Sequence, residues 1–555
     1  MTGPRTPLEG VVYADPATAA RYLEGGAWID RTIDQQLKLC GDRYSDRPAF
    51  ICDDVILSFG ELDRRTDAVA GALKQHGLQV NDRALFQMGT TLDTVVAFFG
   101  CLKAGVIPVC TIPQYRELEM HKLADLTRPS AYFVQKDGGS FDLTEFARKV
   151  AREKSIQHVF AFGDRSEPSI VELASRTAGT EAHTPPVPSS SEDVAVLQLS
   201  GGSTGVPKII PRFHAEYLGH VRLWCDRYGM KTDDVGIWAL PLMHNAGMMF
   251  TLLRTVLYGC TTVLMPRWDP ERFFSLIERW KVRHAFTIGP HAPAIASFKQ
   301  IEEYDLSSLR FFFTLQGAGP IERATGVPAT NMFGITEGLV LTSSPDDPAS
   351  MRHDSVGAPC SGFDEVKLLH LDSEDEVADG EAGELCFKGP SSLRGYFAAP
   401  ELSAECLTSN GFFRSADLMR RVRLNGRLAY VFEGRTRDNI NRGGEKFGTE
   451  DIERLIALHP DIADGKVVAM PDPLYGEKAC AFIISRPGRQ LPSIAELGSF
   501  LLEKGLAKFK LPERIEPIEV FPITRVGKLD RAALRAIIAD RLEKETGPSK
   551  EQRAS

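Results

Sequence analysis

The sequence predicts an α/β protein, in which a large N-terminal domain of doubly wound sheets includes a β-rich subdomain and is followed by a small, mobile α+β domain. Short apolar runs alternate with helical patterns through the first part of the chain. From about Asp364 the sequence is richer in charged residues and in strand-like patterns, and a new pattern of helices and strands begins after Arg437. The 555 residues also exceed what one hydrophobic core usually supports.

The N-terminal domain is predicted over residues 1–436. Strands are expected where short apolar runs are bounded by turn residues, at 83–88, 106–110, 131–134, 157–161, 234–240 and 261–265. Helical patterns lie between them, at 91–101 and 248–257. Such an alternation favours parallel sheets, and the stretch 180–191, rich in Pro and Ser, is typical of an exposed connector.

The β-rich subdomain is predicted over about 364–436, where the apolar runs 365–369, 383–388 and 427–432 favour antiparallel strands. The small domain is predicted over 437–545. Its helices are expected at 449–458, at 493–504 and from about 529, with strands at 465–470 and 479–485. Residues 546–555 are typical of a disordered tail.

Composition excludes some function classes. The chain is 43% hydrophobic and 25% charged, with a formal charge of −9, so it has no general basic field for nucleic acid or an anionic membrane surface. The polar N-terminus and the absence of a long apolar run predict a cytoplasmic protein. The ten cysteines are scattered without a CxxC pair, a pattern typical of buried, reduced thiols.

A glycine-rich loop follows the apolar run 194–199. Glycines let several backbone N–H groups converge on one anion, hydroxyl groups add donors, and a lysine supplies a positive charge. This pattern predicts a phosphate cradle, although a flexible Gly/Ser turn is the alternative. The loop differs from a Walker A motif. The predicted phosphate-binding residues are Ser200, Gly201, Gly202, Ser203, Thr204, Gly205 and Lys208.

Six motifs together resemble the acyl-adenylate-forming superfamily, which includes acyl-CoA synthetases, adenylation domains and luciferases. Within it, segments 197–205 and 438–446 are similar to 2,3-dihydroxybenzoate and salicylate AMP ligases, and the chain also resembles naphthoate-CoA ligases of enediyne biosynthesis. The motifs occur in the order expected for the superfamily: the loop 200–208, His244-Asn245, 333–337, 414–417, Gly434-Arg435 and Gly527-Lys528.

The resemblance implies that a carboxylic acid attacks the α-phosphate of ATP, giving an acyl adenylate and pyrophosphate. Thr204 and Lys208 are then side-chain donors to the β- and γ-phosphates, and Thr336 donates to the α-phosphate. Glu337 is the implied Mg²⁺ ligand, since one carboxylate suffices for Mg²⁺ at a phosphate site; a glutamate in the first turn of a helix is the alternative.

Other residues are assigned to the nucleotide by the same resemblance. Asp417 is expected to accept hydrogen bonds from the ribose hydroxyls. Arg435 is expected to reach ribose or phosphate, or else to form a surface salt bridge. Here Ser415-Ala416 replaces the Thr-Gly that is usual in the family, so the backbone conformation beside Asp417 is expected to differ. The residues expected to line the nucleotide pocket are Gly317, Ala318, Phe333 and Gly334.

The resemblance also assigns roles in the small domain. Lys528 matches the lysine that contacts the carboxylate and the α-phosphate during adenylation, and Arg437 occupies the hinge position. Rotation at the hinge would replace Lys528 with Gly443 and Gly444. These glycines would let a narrow pantetheine arm pass close to the backbone.

The expected acid pocket contains His244, Asn245, Ala246, Gly247 and Gly317. In aryl-acid ligases the asparagine recognises a hydroxyl ortho to the carboxylate and the histidine lies beside the acyl site. Ala246-Gly247 replaces the bulky aromatic residue of the dihydroxybenzoate ligases, so the resemblance implies a larger acid, such as a substituted salicylate or a hydroxynaphthoate. The alternative is that this segment, with Met248 and Met249, is only helix core.

The predicted function is ATP-dependent activation of a 2-hydroxyaryl acid, followed by thioester formation with CoA in secondary metabolism, with a downstream acyltransferase as a candidate partner. One alternative loads the phosphopantetheine of a separate carrier protein, since no carrier attachment motif follows the last ligase motif. A non-catalytic nucleotide-binding homologue and a luciferase-like oxygenase are further alternatives. Nucleic acid and membrane are not expected partners.

Overall fold

The structure is a computed structural model that describes residues 5–135, 141–162, 189–200, 207–287, 291–371, 373–435, 439–523 and 529–546. Its strands, numbered in chain order, are β1 (Pro48–Cys52), β2 (Val55–Ser58), β3 (Arg83–Gln87), β4 (Ile107–Val109), β5 (Ala131–Gln135), β6 (His158–Phe162), β7 (Val194–Ser200), β8 (Lys208–Phe213), β9 (Val235–Trp238), β10 (Thr261–Leu264), β11 (His284–Thr287), β12 (Phe311–Thr314), β13 (Ala329–Gly334), β14 (Val340–Thr342), β15 (Ala358–Pro359), β16 (Glu365–Leu369), β17 (Ala382–Lys388), β18 (Phe413–Leu424), β19 (Arg427–Arg435), β20 (Asn439–Arg442), β21 (Glu445–Gly448), β22 (Ile462–Asp472), β23 (Gly476–Ser485) and β24 (Arg514–Pro517).

The α-helices in the described ranges are α1 (Pro16–Glu24), α2 (Ile33–Arg43), α3 (Phe59–Gln75), α4 (Leu92–Ala104), α5 (Glu117–Thr127), α6 (Leu143–Glu153), α7 (His214–Arg227), α8 (Asn245–Gly247), α9 (Arg254–Tyr258), α10 (Pro270–Trp280), α11 (His291–Ser297), α12 (Ala318–Thr325), α13 (Ala349–Asp354), α14 (Pro400–Glu405), α15 (Glu450–Ile456), α16 (Ile494–Glu503) and α17 (Arg531–Thr546). A π-helical turn over Met248–Leu253 joins α8 to α9. Short 3-10 turns cover Ile301–Glu303 and Lys508–Lys510.

The chain divides into two compact units, of which the larger ends at Gly434. The smaller comprises the residues from Arg435 onward together with the short segments Arg116–Glu119 and Gly201–Pro207. The larger unit contains two mainly parallel sheets, in the orders β6-β5-β3-β4-β7-β8 and β15-β14-β13-β12-β11-β9-β10-β1-β2. Antiparallel pairs are confined to strands at the sheet edges, such as β7 with β8 and β13 with β14. The predicted doubly wound α/β class is confirmed.

The strands of these sheets are apolar because helices cover both faces. In β3 and β5, the rings of Phe86 and Phe133 stack with centroids 4.6 Å apart, and both side chains are fully buried. Helix α4 is buried along almost its whole length, with its first turn capped by the Thr91 hydroxyl and its end at the left-handed Gly105. This packing holds the strand ends, where the candidate site lies.

The antiparallel subdomain of the larger unit is the sheet β16-β17-β18-β19. Its inward side chains, including Leu385, Phe387 and Met419, pack with Phe333 and Leu341 of the parallel sheet. The subdomain therefore shares its core with the strand that carries the predicted nucleotide motif.

The smaller unit is a sheet in the order β21-β20-β23-β22, with β24 parallel to β23. Its core includes Ile440, Ile452, Val467 and Leu497, so both α15 and α16 contribute to it. Strand β22 is longer than the predicted 465–470, because its regular pairing with β23 continues to Asp472. The predicted domain boundary at 436/437 lies outside the described residues, as does the predicted tail beyond Thr546.

Helix length and hydropathy bear on the membrane question. In the described parts of the chain, no helix has the length and apolar content needed to cross a bilayer.

The side chain of His214, the first residue of α7, is buried against the start of α2. Its Nδ1 atom accepts a hydrogen bond from the backbone N–H of Ile33 at 3.1 Å, and burial lowers the pKa of His214 to about 3. The unfolded chain binds a proton near the ordinary pKa of 6.5, whereas the folded protein binds it only near 3. The stability due to this group is therefore complete above the unfolded pKa and is lost as the pH falls.

We expect His214→Asn, which keeps an acceptor but cannot titrate, to remove this part of the pH dependence. Between about pH 7 and about pH 5 the wild type should lose about 2 kcal/mol more stability than the variant. Urea unfolding of both proteins at the two pH values measures the difference. Equal losses in the two proteins would show that His214 does not contribute.

Candidate active site

The predicted acid and nucleotide residues follow strands of one sheet at its carboxyl edge. His244 and Asn245 follow β9, Gly317 follows β12, and Thr336 and Glu337 follow β13. Strands β9, β11, β12 and β13 are parallel neighbours, so their carboxyl ends lie at the same edge. Ligands of open α/β sheets bind at such an edge.

Ser200 and Lys208 delimit the predicted phosphate loop. They pair across β7 and β8, so the loop is the connection of an antiparallel hairpin. Gly201, Gly202, Ser203, Thr204 and Gly205 lie outside the described residues.

Lys208 and Glu337 contact the same tyrosine. The Lys208 Nζ atom lies 4.9 Å from the ring centroid of Tyr396, and the Tyr396 hydroxyl donates to Glu337 Oε1 at 3.1 Å. A cation and an oriented carboxylate are thus held close together. This donor set fits a phosphate chain with Mg²⁺, which prefers oxygen ligands and takes few protein carboxylates.

The backbone on both sides of Glu337 is held tightly. The carbonyl oxygen of Glu337 accepts from the Leu393 N–H at 2.8 Å, and the Gly338 N–H donates to the Ile335 carbonyl at 3.1 Å. Gly338 has φ +116°, and a Cβ atom there would lie 1.7 Å from the carbonyl oxygen of Ser391. Glu337 therefore sits in a tight turn, and the alternative of a helical first turn is wrong.

Arg212, at the end of β8, links the two halves of the site. Its guanidinium is buried and forms an ion pair with Glu216, with Nε donating to Oε2 at 3.1 Å. The Nη1 atom donates to the Thr336 carbonyl at 3.1 Å and to Asn245 Oδ1 at 3.4 Å. The Nη2 atom lies 3.2 Å from His220 Nδ1, which must accept because arginine only donates.

The Asn245 side chain is buried and well constrained. The Tyr217 hydroxyl donates to its Oδ1 at 2.6 Å, and its Nδ2 lies 3.7 Å from the sulfur of Met249. His244 caps the short helix α8, because its Nδ1 accepts from the Ala246 N–H at 3.3 Å.

The predicted wide pocket gains no support from Gly247. A Cβ atom at Gly247 would lie 2.5 Å from the carbonyl oxygens of Pro241 and Leu242, so the missing side chain permits a close backbone approach. Met248 and Met249 are buried in the main core, as the helix-core alternative expects. Of residues 246–249, only Ala246 is partly exposed, so only this position is left as support for a wider pocket.

Asn331 holds the backbone at Ala318, one of the residues expected to line the nucleotide pocket. Asn331 Oδ1 accepts from the Ala318 N–H at 3.0 Å, and its Nδ2 donates to the His353 carbonyl at 2.6 Å. Gly317 has φ +88°, which glycine adopts without strain. Phe333 stacks on Phe432 with ring centroids 6.1 Å apart, and Gly334 ends β13.

Asp417 is buried in β18 beside a strained alanine. Ala416 has φ +60°, in the left-handed region that glycine favours, so the Gly-to-Ala departure noted in the sequence carries a conformational cost. The Ala416 N–H donates to Glu384 Oε1 at 3.0 Å, and Arg414 Nε donates to Glu384 Oε2 at 2.9 Å. These contacts hold Ala416 in its unfavourable backbone conformation.

We expect Ala416→Gly to raise the free energy of unfolding by about 1 kcal/mol, because it removes the left-handed strain. Ala404→Gly, in the exposed face of α14, is the matched control and should lower stability by about the same amount. Urea midpoints measure both. A loss of stability in Ala416→Gly would contradict the strain.

The two glycines of the predicted thiol tunnel form a hairpin turn in the smaller unit. Gly443 and Gly444 have φ +61° and +97° and connect β20 to β21, as a two-residue turn requires. The Gly444 N–H donates to Asn441 Oδ1 at 3.1 Å. Turn geometry alone therefore accounts for both glycines. Lys528 and Arg437 lie outside the described residues, as does the side chain of Arg435.

The larger unit brings Lys208, Thr336, Glu337 and Asn245 together through two residues that the motif analysis missed, Tyr396 and Arg212. Arg212 had one usable signal, namely a charged residue within the otherwise apolar stretch 209–213 of β8. No motif or residue spacing in the sequence marks Tyr396.

Two family matches cover most of the chain. Residues 37–397 match the AMP-binding enzyme family, and residues 451–528 match the AMP-binding enzyme C-terminal domain.

Several known proteins are similar to this chain along nearly its full length. A 2,3-dihydroxybenzoate-AMP ligase of Bacillus subtilis is 34% identical, covering 96% of this chain and 99% of the relative. A salicyl-AMP ligase / salicyl-S-ArCP synthetase of Mycobacterium tuberculosis is 33% identical, covering 98% and 97%. The apo structure of MbtA from Mycobacterium smegmatis superimposes with a TM-score of 0.72 at 30% identity, covering 95% and 98%.

These matches confirm the resemblance to acyl-adenylate-forming enzymes that the ordered motifs predict. The matched ranges and the fold agree, and the chain belongs to the AMP-binding enzyme family.

Proposed function

We propose that this enzyme activates a 2-hydroxyaryl carboxylic acid with ATP and then transfers the acyl group to a pantetheine thiol. The acid carboxylate attacks the α-phosphorus, the bond to the bridging oxygen breaks, and pyrophosphate leaves. A thiolate then attacks the acyl carbon and AMP leaves. Neither step needs a protein nucleophile, so the protein acts by positioning and by charge.

The observation that carries the proposal is the double contact of Arg212. One guanidinium nitrogen donates both to the Thr336 carbonyl and to Asn245 Oδ1. The residue assigned to the α-phosphate and the residue assigned to the acid are therefore fixed against the same group. An acid bound at Asn245 would lie close to the α-phosphate.

The remaining residues have separate tasks. Lys208 and the loop from Ser200 would hold the β- and γ-phosphates, Asp417 the ribose, and Gly317 with Ala318 the adenine. Glu337 would hold Mg²⁺, which neutralises phosphate charge when it is bound. Lys528 would contact the acid carboxylate, as the motif implies. His244 would lie beside the acyl group.

The thiol is proposed to be the phosphopantetheine of a carrier protein, because the salicyl-S-ArCP synthetase is similar over almost the whole chain. CoA, which the naphthoate-CoA ligase resemblance favours, is the second candidate. Gly443 and Gly444 are the proposed passage for either thiol, and Arg437 the proposed hinge. Mass spectrometry of reactions with CoA or with an aryl carrier protein distinguishes the two.

The acid is tested by ATP–pyrophosphate exchange with salicylate, 2,3-dihydroxybenzoate, 6-methylsalicylate, 2-hydroxy-1-naphthoate and benzoate. We expect each 2-hydroxy acid that fits to exceed benzoate by about tenfold or more, and Asn245→Ala to remove that advantage. Naphthoate as the best substrate would support a wide pocket beside Ala246. Equal exchange with benzoate and salicylate would contradict the role of Asn245, and no exchange with any acid would favour a non-catalytic homologue.

A further inference from the structure

The buried ion pair of Arg212 and Glu216 caps α7, since Glu216 Oε2 accepts from the Phe213 N–H at 3.4 Å, and it also contacts Asn245. Arg212 and Glu216 are each 2% exposed, and burying such a pair costs desolvation energy that its attraction often fails to offset. One guanidinium nitrogen of the pair, Arg212 Nη1, donates to Thr336 and Asn245 rather than to Glu216. Its geometry therefore points to a positioning task.

The contacts of Asn245 fix which way its amide faces. Arginine has donors only, so the atom of Asn245 that Arg212 contacts must be the acceptor Oδ1. The Tyr217 hydroxyl donates to the same oxygen at 2.6 Å. Rotation of the amide would set Nδ2 against the donor-only guanidinium.

The fixed orientation leaves Nδ2 as the group that Asn245 can offer to a ligand. Among the described residues, Nδ2 contacts the weak acceptor Met249 Sδ at 3.7 Å, which can use only one of its two hydrogens. The amide thus presents a donor to a bound acid.

We propose that Arg212 and Tyr217 are positioning residues that set the hydrogen-bonding polarity of the acid site, so that it selects acids whose ortho substituent accepts a hydrogen bond. The inference rests on the proposed function and adds to it. A salicylate hydroxyl donates to its own carboxylate and still accepts from Nδ2. An anthranilate amino group has a delocalised lone pair and accepts poorly, although it has nearly the same size.

The test compares kcat/KM for salicylate and anthranilate in ATP–pyrophosphate exchange. We expect the wild type to prefer salicylate by about tenfold or more. Tyr217→Phe removes one of the two donors that hold Oδ1, and it should reduce that ratio by about fivefold while the KM for ATP stays within about twofold. A merely structural loss would lower both acids equally.

Tyr228→Phe is the matched control, because Tyr228 is also buried and its hydroxyl bonds Thr342, away from the site. It should leave the ratio unchanged. Asn245→Asp is a second variant, whose carboxylate still accepts from Arg212 and Tyr217 but offers no donor. It should favour anthranilate over salicylate, and it tests the inference even where Tyr217→Phe does not fold.

The outcomes separate the two proposals. A wild type that exchanges with no aryl acid overturns the proposed function. A wild type that prefers salicylate, with the same ratio in Tyr217→Phe, overturns only the role of Tyr217. A preference of the wild type for anthranilate, or a continued preference for salicylate in Asn245→Asp, overturns the inferred amide polarity.

Discussion

Replacing Glu337 by glutamine is expected to lower acid-dependent ATP–pyrophosphate exchange by about 100-fold or more. Glutamine keeps the size of the side chain and can still accept from the Tyr396 hydroxyl, which lies 3.1 Å from Oε1. It lacks the negative charge that a Mg²⁺ ligand at the phosphates should supply. Exchange rates measured over a range of Mg²⁺ concentrations test this expectation.

Glu405→Gln is the control for Glu337→Gln, since Glu405 is exposed at the end of α14. It should leave exchange unchanged, and both variants should unfold at the wild-type urea concentration. Exchange within about threefold of the wild type in Glu337→Gln would show that the carboxylate is dispensable, and it would remove Glu337 from the proposed metal site.

Gly338→Ala should have the largest structural effect near the site. Its φ of +116° disfavours any side chain, and the added Cβ would lie 1.7 Å from the Ser391 carbonyl oxygen. We expect a loss of about 3 kcal/mol or more in the free energy of unfolding, because the turn must open. Opening the turn displaces Glu337, so exchange should be lost as well.

Gly326→Ala is the control for Gly338→Ala, because it adds a side chain to left-handed backbone without a steric clash. Gly326 has φ +69° at the end of α12, and no atom lies within 4 Å of an added Cβ. It should lose only about 1 kcal/mol and keep its exchange activity. Similar losses in the two variants, measured by urea unfolding, would contradict the tight turn at Gly338.

Features carried by local pattern were predictable from the sequence. The strands β3 and β5, the antiparallel subdomain and the motif around Glu337 follow from hydrophobic alternation and from residues close together in the chain. The ends of β22 were less predictable, since strand pairing with β23 determines its length.

The contacts that join the motifs could not be predicted. Arg212 and Thr336 form a hydrogen bond although they are 124 residues apart in the sequence, and Tyr396 and Glu337 do so although they are 59 residues apart. Only the fold brings these residues together. Gly247 shows a second limit, because a missing side chain in the sequence can mean either an open pocket or a close backbone contact, and here the Pro241 and Leu242 carbonyls fill the space.

We propose that this site joins a 2-hydroxyaryl acid to AMP. The most direct measurement incubates the protein with ATP, Mg²⁺ and salicylate, without any thiol, and analyses the bound products by mass spectrometry. We expect salicyl-AMP and pyrophosphate in equal amounts, and neither product when salicylate is omitted. Pyrophosphate without an acyl adenylate, or neither product with any 2-hydroxyaryl acid that is tried, would contradict it.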